Sequence, residues 1–314
     1  MKMIQAAAIC LLLTLLSTPA AMAMPLNSSA RAVVPGELLQ LISVDYRALK
    51  DSPTAMALKQ QLLPDNLKQF EGSLKGIGID PDKDVDTLTF ASFRSGKQGV
   101  RGVGIASGSF NLKAVLKKMR LQKFKPTKYR NSDLYPMDGG MLMSFLDDGT
   151  LLFGEPSAVR SALDVRDGQV LNVDSNASMA DMMSAVDSAP VWSILDQQGT
   201  QNMMRSALGD ASKIADYDTL KKRLLGSRYT MNFNSGVNFD LAVVTSDSLT
   251  AATLSSLVKA GMLYKKMNAT ASEKLAMDNT SVDSDGANLQ IHFKSNDQQF
   301  QALMHSDLFA AVSR

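Results

Sequence analysis

The chain has very few of the side chains on which metal binding and nucleophilic catalysis most often depend. Among its 314 residues there is one cysteine, Cys10, and there are two histidines, His292 and His305. A zinc site takes three or four protein ligands, mostly cysteine and histidine, so this composition predicts no zinc site. It also leaves little material for a catalytic triad built around histidine. We therefore identify no catalytic residue, and we expect neither a metal nor a cofactor.

Long apolar runs are also missing, except at the N-terminus. Residues 4–16 are almost wholly apolar, Lys2 precedes them, and Ala21-Met22-Ala23 forms a small-residue cleavage site. This order is typical of a secretory signal peptide, which we place at residues 1–23. The alternative is an uncleaved membrane anchor, because the segment is long enough to span a bilayer. After cleavage the chain would lose Cys10, have no membrane-spanning segment, and work in the periplasm or outside the cell.

The charges of the chain are nearly balanced. Lys and Arg number 33 and Asp and Glu number 31, which gives a formal net charge of +2. Such a balance gives no overall attraction to a nucleic acid, so we do not expect a nucleic-acid partner. Hydrophobic residues make up 45% of the chain. This share is ordinary for a globular protein and is enough to form a core without disulfides.

Hydrophobic periodicity predicts the same order of elements twice along the chain. Each half is predicted as β-α-α-β-β-α-β-β-α, with the first half at residues 24–170 and the second at 171–314. The polar stretch at residues 166–178, rich in Gly, Asn and Ser, separates them. Hairpins that alternate with helices favour an α+β fold, in which antiparallel sheets carry helices packed on one face. The prediction is therefore two tandem α+β repeats.

The same periodicity gives bounds for individual elements. Residues 110–121 are predicted as a helix, residues 127–135 as one strand, and residues 218–225 as a helix. The apolar residues of the first helix share one face: Leu112, Val115, Leu116 and Met119. The opposite face of that helix is therefore expected to meet solvent.

A run of basic residues without any acidic residue covers this helix and the strand after it. The run consists of Lys113, Lys117, Lys118, Arg120, Lys123, Lys125, Lys128 and Arg130. One interpretation is a surface that binds an anionic component of the cell envelope, such as phospholipid headgroups or an acidic polysaccharide. The other is a solvated helix face with no ligand, which is the usual meaning of a charge run. Both interpretations stay open at this stage.

The acidic stretch Asp80–Asp86 places four carboxylates at alternate positions, which is a reason to consider calcium. An EF-hand loop that begins at Asp80 requires glycine at its sixth position and glutamate at its twelfth. Those positions hold Val85 and Ala91. We therefore interpret the stretch as a connector from a helix to a strand, with its carboxylates in solvent.

Short stretches of the first half resemble uncharacterised exported bacterial proteins, a loose set of families often found in acidobacteria. The similarity lies at Gly78–Asp86, at Ser144–Gly149 and at Gly154–Val159. These motifs carry turn chemistry rather than active-site chemistry. The resemblance implies a secreted bacterial protein, and it implies no activity and no functional residue.

Taken together, these patterns predict an exported, non-enzymatic binding or scaffold protein of the bacterial cell envelope. The ligand would meet the basic run. The alternative is a carboxylate-based hydrolase of envelope glycans, which needs two acids within about 5–10 Å of each other in a cleft.

Overall fold

Twelve antiparallel strands form one continuous sheet in the part of the chain that the structure describes. The structure is a computed structural model that describes residues 25–95, 99–208 and 217–306, so the predicted signal peptide at residues 1–23 lies outside the described residues. The strands are β1 Leu38–Asp45, β2 Val85–Arg94, β3 Val100–Gly108, β4 Thr127–Tyr129, β5 Ser132–Pro136, β6 Leu142–Asp147, β7 Thr150–Gly154, β8 Val191–Leu195, β9 Leu224–Asn232, β10 Val237–Thr245, β11 Thr280–Asp285 and β12 Asn288–Ser295. Their order across the sheet is β11-β12-β10-β9-β8-β1-β2-β3-β7-β6-β5-β4.

Helices connect these strands and cover the sheet. Those in the described residues are α1 Ser28–Val33, α2 Tyr46–Leu49, α3 Pro53–Leu62, α4 Asp65–Ile77, α5 Pro81–Asp84, α6 Leu112–Leu121, α7 Pro156–Arg166, α8 Ala177–Ser184, α9 Gln197–Leu208, α10 Tyr217–Leu220, α11 Ser248–Met267, α12 Ala271–Asp278 and α13 Asp297–Met304. The combination of an antiparallel sheet with packed helices confirms the α+β class.

The helix starts follow the side chains that precede them. Ser52 accepts a hydrogen bond from the backbone N–H of Ala55 at the start of α3, over 3.2 Å. At the start of α11, Asp247 accepts one from Thr250 over 2.8 Å. Hydrogen bonds from Ser246 and Thr250 lower the pKa of Asp247 to about 2. These side chains satisfy N–H groups that a helix leaves without a partner in its first turn.

The two halves of the chain meet at the pair of strands β1 and β8. Leu41 stands opposite Ile194 and Ser43 stands opposite Trp192 in this antiparallel pair. The sequence predicted antiparallel sheets in the plural, and that part of the prediction is wrong. The reason is that β1 pairs with β2 along one edge and with β8 along the other, which joins the strands of both halves into one sheet.

Helices lie on both faces of the sheet, which is clearest in the first half, so the expectation of helices on one face is wrong. Successive residues of a strand point to opposite faces. Leu151 and Phe153 pack in a cluster with α4 and α6, while Leu152, between them, packs in a different cluster with α1 and α7. Strand β7 is buried along its whole length as a result.

In the second half, most helices cover the face that carries Val237, Leu241 and Val243 of β10, whereas α8 packs on the opposite face with Trp192 and Ile194 of β8. Away from α8, that opposite face is mostly polar. It carries Asp240, whose Oδ1 lies 2.6 Å from Nδ1 of His292 on the neighbouring strand β12. This alternation is what one covered face and one solvated face of an antiparallel sheet require.

One core cluster crosses the expected boundary at residue 170. It joins α7 and the inner strands of the first half to Trp192 and Ile194 of β8 and to Met179 and Met182 of α8. Trp192 has only 1% of its surface exposed. Burial of this seam therefore stabilises both halves at once.

Two of the predicted elements have different bounds in the structure. Residues 127–135 form a hairpin of β4 and β5 rather than one strand, because the chain reverses at Arg130, where φ is +47°. The predicted helix at 218–225 is also wrong over its second part. There α10 ends at Leu220, a 3₁₀ turn covers residues 221–223, and β9 begins at Leu224, whose side chain is fully buried.

A substitution of Ser144 by alanine is expected to stabilise the protein by about 1 kcal/mol. Ser144 of β6 is fully buried, and its hydroxyl has no hydrogen-bond partner in the described residues. An unsatisfied buried polar group costs about 1–3 kcal/mol, and alanine removes that cost. The matched control is Ser43→Ala, which breaks a buried hydrogen bond of 3.0 Å to Thr89 and should destabilise. Urea denaturation measures both, and equal changes in the two variants would contradict the expectation.

Candidate functional site

Helix α6 places most of the basic run on one exposed surface. Its residues Val115 and Met119 are buried against the sheet, with 2% and 1% of their surface exposed. The lysines and arginine of the helix all lie on the exposed side. The sequence produces this arrangement because the apolar residues recur every three or four positions, while Lys, Arg, Leu and Ala all favour the helical conformation.

Both ends of α6 are fixed by hydrogen bonds. Asn111 caps its start by accepting from the N–H of Ala114 over 3.1 Å. At its end, the N–H of Phe124 donates to the carbonyl of Met119 and that of Lys123 donates to the carbonyl of Arg120, both over 3.0 Å. This is the hydrogen-bonding pattern of a helix that stops in a left-handed residue, which here is Lys123 with φ +61°.

A lysine is an unusual residue at that position. The left-handed conformation favours glycine, and a residue with a Cβ pays about 1–2 kcal/mol to adopt it. In the described residues three residues other than glycine have a positive φ, and two of them, Lys123 and Arg130, belong to the basic run. The chain thus accepts backbone strain at two places where it keeps a cation.

Six cations of the run have no carboxylate partner in the part of the chain that the structure describes. They are Lys113, Lys117, Lys118, Arg120, Lys123 and Lys125, and all six are exposed or partly exposed. Four of them lie on α6, which has ten residues and is therefore about 15 Å long, and Lys123 and Lys125 follow directly after its end. We call these six residues the basic surface.

The other two members of the run are paired and lie on the hairpin of β4 and β5. Lys128 Nζ is 2.8 Å from Oδ1 of Asp133. Arg130 Nε is 2.5 Å from Oδ1 of Asp164, which also accepts from the hydroxyl of Tyr129. The hydrogen bond to Asp133 raises the pKa of Lys128, and that to Asp164 raises the pKa of Arg130. The structure thus separates them from the basic surface, which the sequence could not do.

An apolar side chain that the sequence patterns did not single out lies within the basic surface. Leu121, the last residue of α6, has 74% of its surface exposed. It lies between Arg120 and Lys123 in the chain and outside the apolar face of the helix. The sequence did indicate this exposure. Leu121 comes two residues after the buried Met119, and residues two apart on a helix do not share a face.

Two side chains near the end of α6 contact the C-terminal end of α4. The amide of Gln122 donates to the carbonyl of Gly76 over 3.2 Å. The side chain of Lys118 lies against Gly78, where a Cβ would meet the Lys118 Cδ at 3.6 Å. Gly78 is the left-handed residue that ends α4, with φ +96°. A cation beside the C-terminus of a helix is favourable, because the last carbonyl groups carry partial negative charge.

The acidic stretch near Gly78 is engaged in local structure. The carboxylate of Asp80 accepts from the N–H of Asp82 over 3.2 Å, and that of Asp84 accepts from the N–H of Asp80 over 2.7 Å. Asp86 forms an ion pair of 2.9 Å with Arg47. The stretch is thus a connector between α4 and β2, held by its own carboxylates.

Two carboxylates lie close together in the first half, where α2, α3, α4 and α5 meet. Lys59 Nζ is 2.8 Å from Oε1 of Glu71 and 3.9 Å from Oδ1 of Asp82. The hydroxyl of Tyr46 donates to Asp82 over 2.5 Å and accepts from Lys59 over 2.8 Å. A small cleft of about 40 Å³, lined mainly by apolar side chains, adjoins this network.

The contacts in this network shift the pKa values of Lys59, Asp82 and Tyr46. Burial lowers the pKa of Lys59, but hydrogen bonds with Glu71 and Tyr46 outweigh burial and raise it overall. The hydrogen bond from Tyr46 lowers the pKa of Asp82. Burial and the bond to Asp82 raise the pKa of Tyr46. The Lys59 ammonium thus lies between the two carboxylates as part of an ion-paired, hydrogen-bonded network.

Neither a metal site nor a membrane-spanning helix is found in the described residues. Within residues 25–95, 99–208 and 217–306, no group of three or more His, Cys, Asp or Glu side chains is arranged to hold a metal ion. None of the described helices combines the length and the apolar character that a bilayer-spanning helix requires.

Replacement of Lys123 by glycine is expected to stabilise the protein by up to about 1 kcal/mol. Glycine removes the strain of φ +61°, and its larger entropy in the unfolded chain offsets part of the gain. The same change removes one cation from the basic surface, so binding to an anionic probe should weaken. Thermal unfolding and a binding titration measure the two effects. The control Lys125→Gly lies outside the left-handed position, and an equal gain in stability there would contradict the strain argument.

Comparison with known proteins gives a distant likeness only. No family model matches the chain, and no curated protein matches it. The chain is similar to crystal form I of a protein called TP0453, with 10% sequence identity and a TM-score of 0.49, over 90% of this chain and 97% of that chain. For crystal form III the identity is 10% and the TM-score is 0.48, over 90% and 98% of the two chains. Likeness at this level assigns neither a function nor a site.

Proposed function

We propose that this protein is an exported, non-enzymatic binding or scaffold protein of the cell envelope, and that the basic surface on α6 binds an anionic envelope component. The observation that carries the proposal is the set of six neighbouring cations that have no carboxylate partner among the described residues. Isolated lysines on a surface need no ligand, but unpaired cations at this density repel one another. An anionic ligand relieves that repulsion and releases counterions.

The strained backbone at Lys123 supports the same proposal. Strain in sparsely populated regions of φ and ψ persists where the surrounding structure fixes it, and it gathers at functional sites. Lys113 adds a smaller cost, because it lies in the first turn of α6, where a cation opposes the helix dipole. Both lysines are unfavourable for α6 itself, and binding gives a reason for them.

We also infer that the chain is a tandem repeat of one α+β unit. The strand order β1-β2-β3-β7-β6 of the first half corresponds to β8-β9-β10-β12-β11 of the second. In each half a helix follows the third strand, α6 in the first and α11 in the second. The antiparallel pairing of β1 with β8 relates the two units by an approximate twofold rotation. The basic surface belongs to the first unit alone, so the two units would have separate roles.

The test is binding of the purified protein to three anionic probes at low and at high salt. The probes are vesicles that contain phosphatidylglycerol, isolated peptidoglycan, and a soluble acidic polysaccharide. Vesicles of phosphatidylcholine alone are the neutral control. We expect binding to at least one anionic probe, with an affinity that falls as salt rises, because each contacted anion releases counterions.

A matched pair of variants distinguishes the basic surface from total charge. The first variant, Lys117→Gln/Lys118→Gln, removes two unpaired cations. The second variant, Lys128→Gln, removes one cation that is already paired with Asp133. The first should weaken binding clearly more, per charge removed, than the second. Equal effects per charge, or binding that does not depend on salt, would refute the proposal.

A further inference from the structure

A second cleft lies in the second half of the chain, on elements that do not belong to the basic surface. It has a volume of about 200 Å³ and lies between α12, α13 and the end of β12. Phe293, Leu275 and Leu303 supply much of its apolar lining. Pockets for drug-sized ligands have about 300–1,000 Å³, so this cleft fits a smaller molecule.

Amide side chains that have no hydrogen-bond partner among the described residues line the same cleft. Neither Asn279 nor Gln298 forms a side-chain hydrogen bond to any described residue, although both face the cleft. Gln299 uses its Oε1 to accept from the N–H of Asn296 over 3.4 Å, which leaves its Nε2 without a partner there. Amide groups both donate and accept hydrogen bonds, so these three residues can bind a hydroxyl group that acts as a donor or as an acceptor.

The cleft carries no charged group among the residues that line it. A charged ligand would lose its hydration there without a counter-charge in return, which is unfavourable. The lining instead combines an aromatic ring and aliphatic side chains with amides and with the hydroxyls of Ser272 and Ser295. A ligand that matches it has apolar C–H surface and several hydroxyl groups on one small, neutral frame.

We propose that this cleft binds one ring of a neutral saccharide. A sugar ring presents C–H groups on its faces and hydroxyls at its rim, which corresponds to the apolar lining and the unpartnered amides. The volume restricts the site to one ring, so a longer glycan would contact it through a terminal unit. This site is independent of the basic surface and goes beyond the function proposed above.

Saturation-transfer difference NMR of the full chain with glucose, galactose and N-acetylglucosamine tests the proposal. We expect a signal from at least one sugar. In the variant Ala302→Phe the new ring fills the cleft, and the signal should be lost. The milder variants Asn279→Ala and Gln298→Ala each remove an amide and should weaken binding about two- to tenfold, and they keep the test valid if the first variant folds poorly.

The control is Lys274→Ala, on the same helix α12 but not in the lining, which should bind like the wild type. The variant that lacks lysines of the basic surface should also bind the sugar unchanged. The proposal is overturned if no sugar gives a signal, if the signal survives in Asn279→Ala, Gln298→Ala and Ala302→Phe alike, or if hexanol binds in the cleft while the sugars do not.

Discussion

Replacement of Lys117, Lys118, Lys123 and Lys125 together by glutamine is expected to abolish binding to an anionic surface. Each lysine close to such a surface contributes about 1 kcal/mol, so four contribute about 4 kcal/mol. Since 1.4 kcal/mol is a factor of ten in affinity, the loss is about a thousandfold. None of the four has a carboxylate partner among the described residues, so no partner charge is left exposed by the change. Sedimentation with phosphatidylglycerol vesicles and with peptidoglycan, and a binding titration with the soluble acidic polysaccharide, measure the loss.

The fold of this variant should be unchanged, and its stability should change little. Glutamine favours the helix about as well as lysine, and the four side chains are exposed, although that of Lys118 also lies against Gly78. The control is a variant in which the same number of lysines is changed in the second half: Lys222, Lys259, Lys265 and Lys274, all exposed. If that control loses as much affinity as the first variant, binding follows net charge and the basic surface has no special role.

Replacement of Trp192 by alanine is expected to cost about 3–5 kcal/mol of stability, which is the usual cost of a large aromatic residue removed from a core. Trp192 of β8 is 1% exposed and packs in the cluster that joins both halves. Native proteins are stable by only about 5–15 kcal/mol, so this cost is a large fraction of the total. Because the cluster is shared, the two halves should unfold in one transition. Urea denaturation followed by circular dichroism measures both the midpoint and the number of transitions.

Tyr264→Ala provides the control for this experiment. Tyr264 of α11 is an aromatic residue with 71% of its surface exposed. Surface substitutions usually change stability by no more than about 0.5 kcal/mol, so this variant should unfold like the wild type. Two separate transitions for Trp192→Ala, or a cost no larger than that of Tyr264→Ala, would show that the halves do not depend on a common core.

Periodicity was enough to place most strands and longer helices from the sequence. β10, at Val237–Thr245, has the bounds that its alternating pattern predicts. The helix predicted at residues 110–121 begins two residues later, at Leu112, because Asn111 supplies the cap. Helix α8 was missed, since it follows a polar stretch and spans only Ala177–Ser184. A short helix is fixed by packing of its few apolar residues rather than by its own propensity.

The pairing of distant strands was not predictable from one sequence. Nothing local in β1 indicates that Leu41 will stand opposite Ile194, since that register depends on where both strands lie in the folded chain. Burial on both faces of β7 was also missed, for a different reason. Its run from Thr150 to Gly154 is too short for periodicity to separate one covered face from two.

The basic surface was partly predictable. The run of cations and the apolar face of α6 are local patterns, so the sequence placed the eight basic residues on an exposed side. The pairing of Arg130, however, depends on a residue far along the chain. Asp164, the partner of Arg130, lies on α7. Leu121 could have been recognised from its place outside the apolar face, but the left-handed backbone of Lys123 has no sequence signal, because glycine is the residue expected there.

The junction of β1 and β8 also sets the order in which the chain can fold. Gln40 on β1 pairs with Leu195 on β8, about half the chain away. Contacts between residues so far apart form slowly, because the long intervening loop must close first. Until residue 195 has been synthesised, β1 keeps one row of unpaired N–H and C=O groups, and Trp192 has not yet reached the core it shares with the first half. The N-terminal half is therefore completed late.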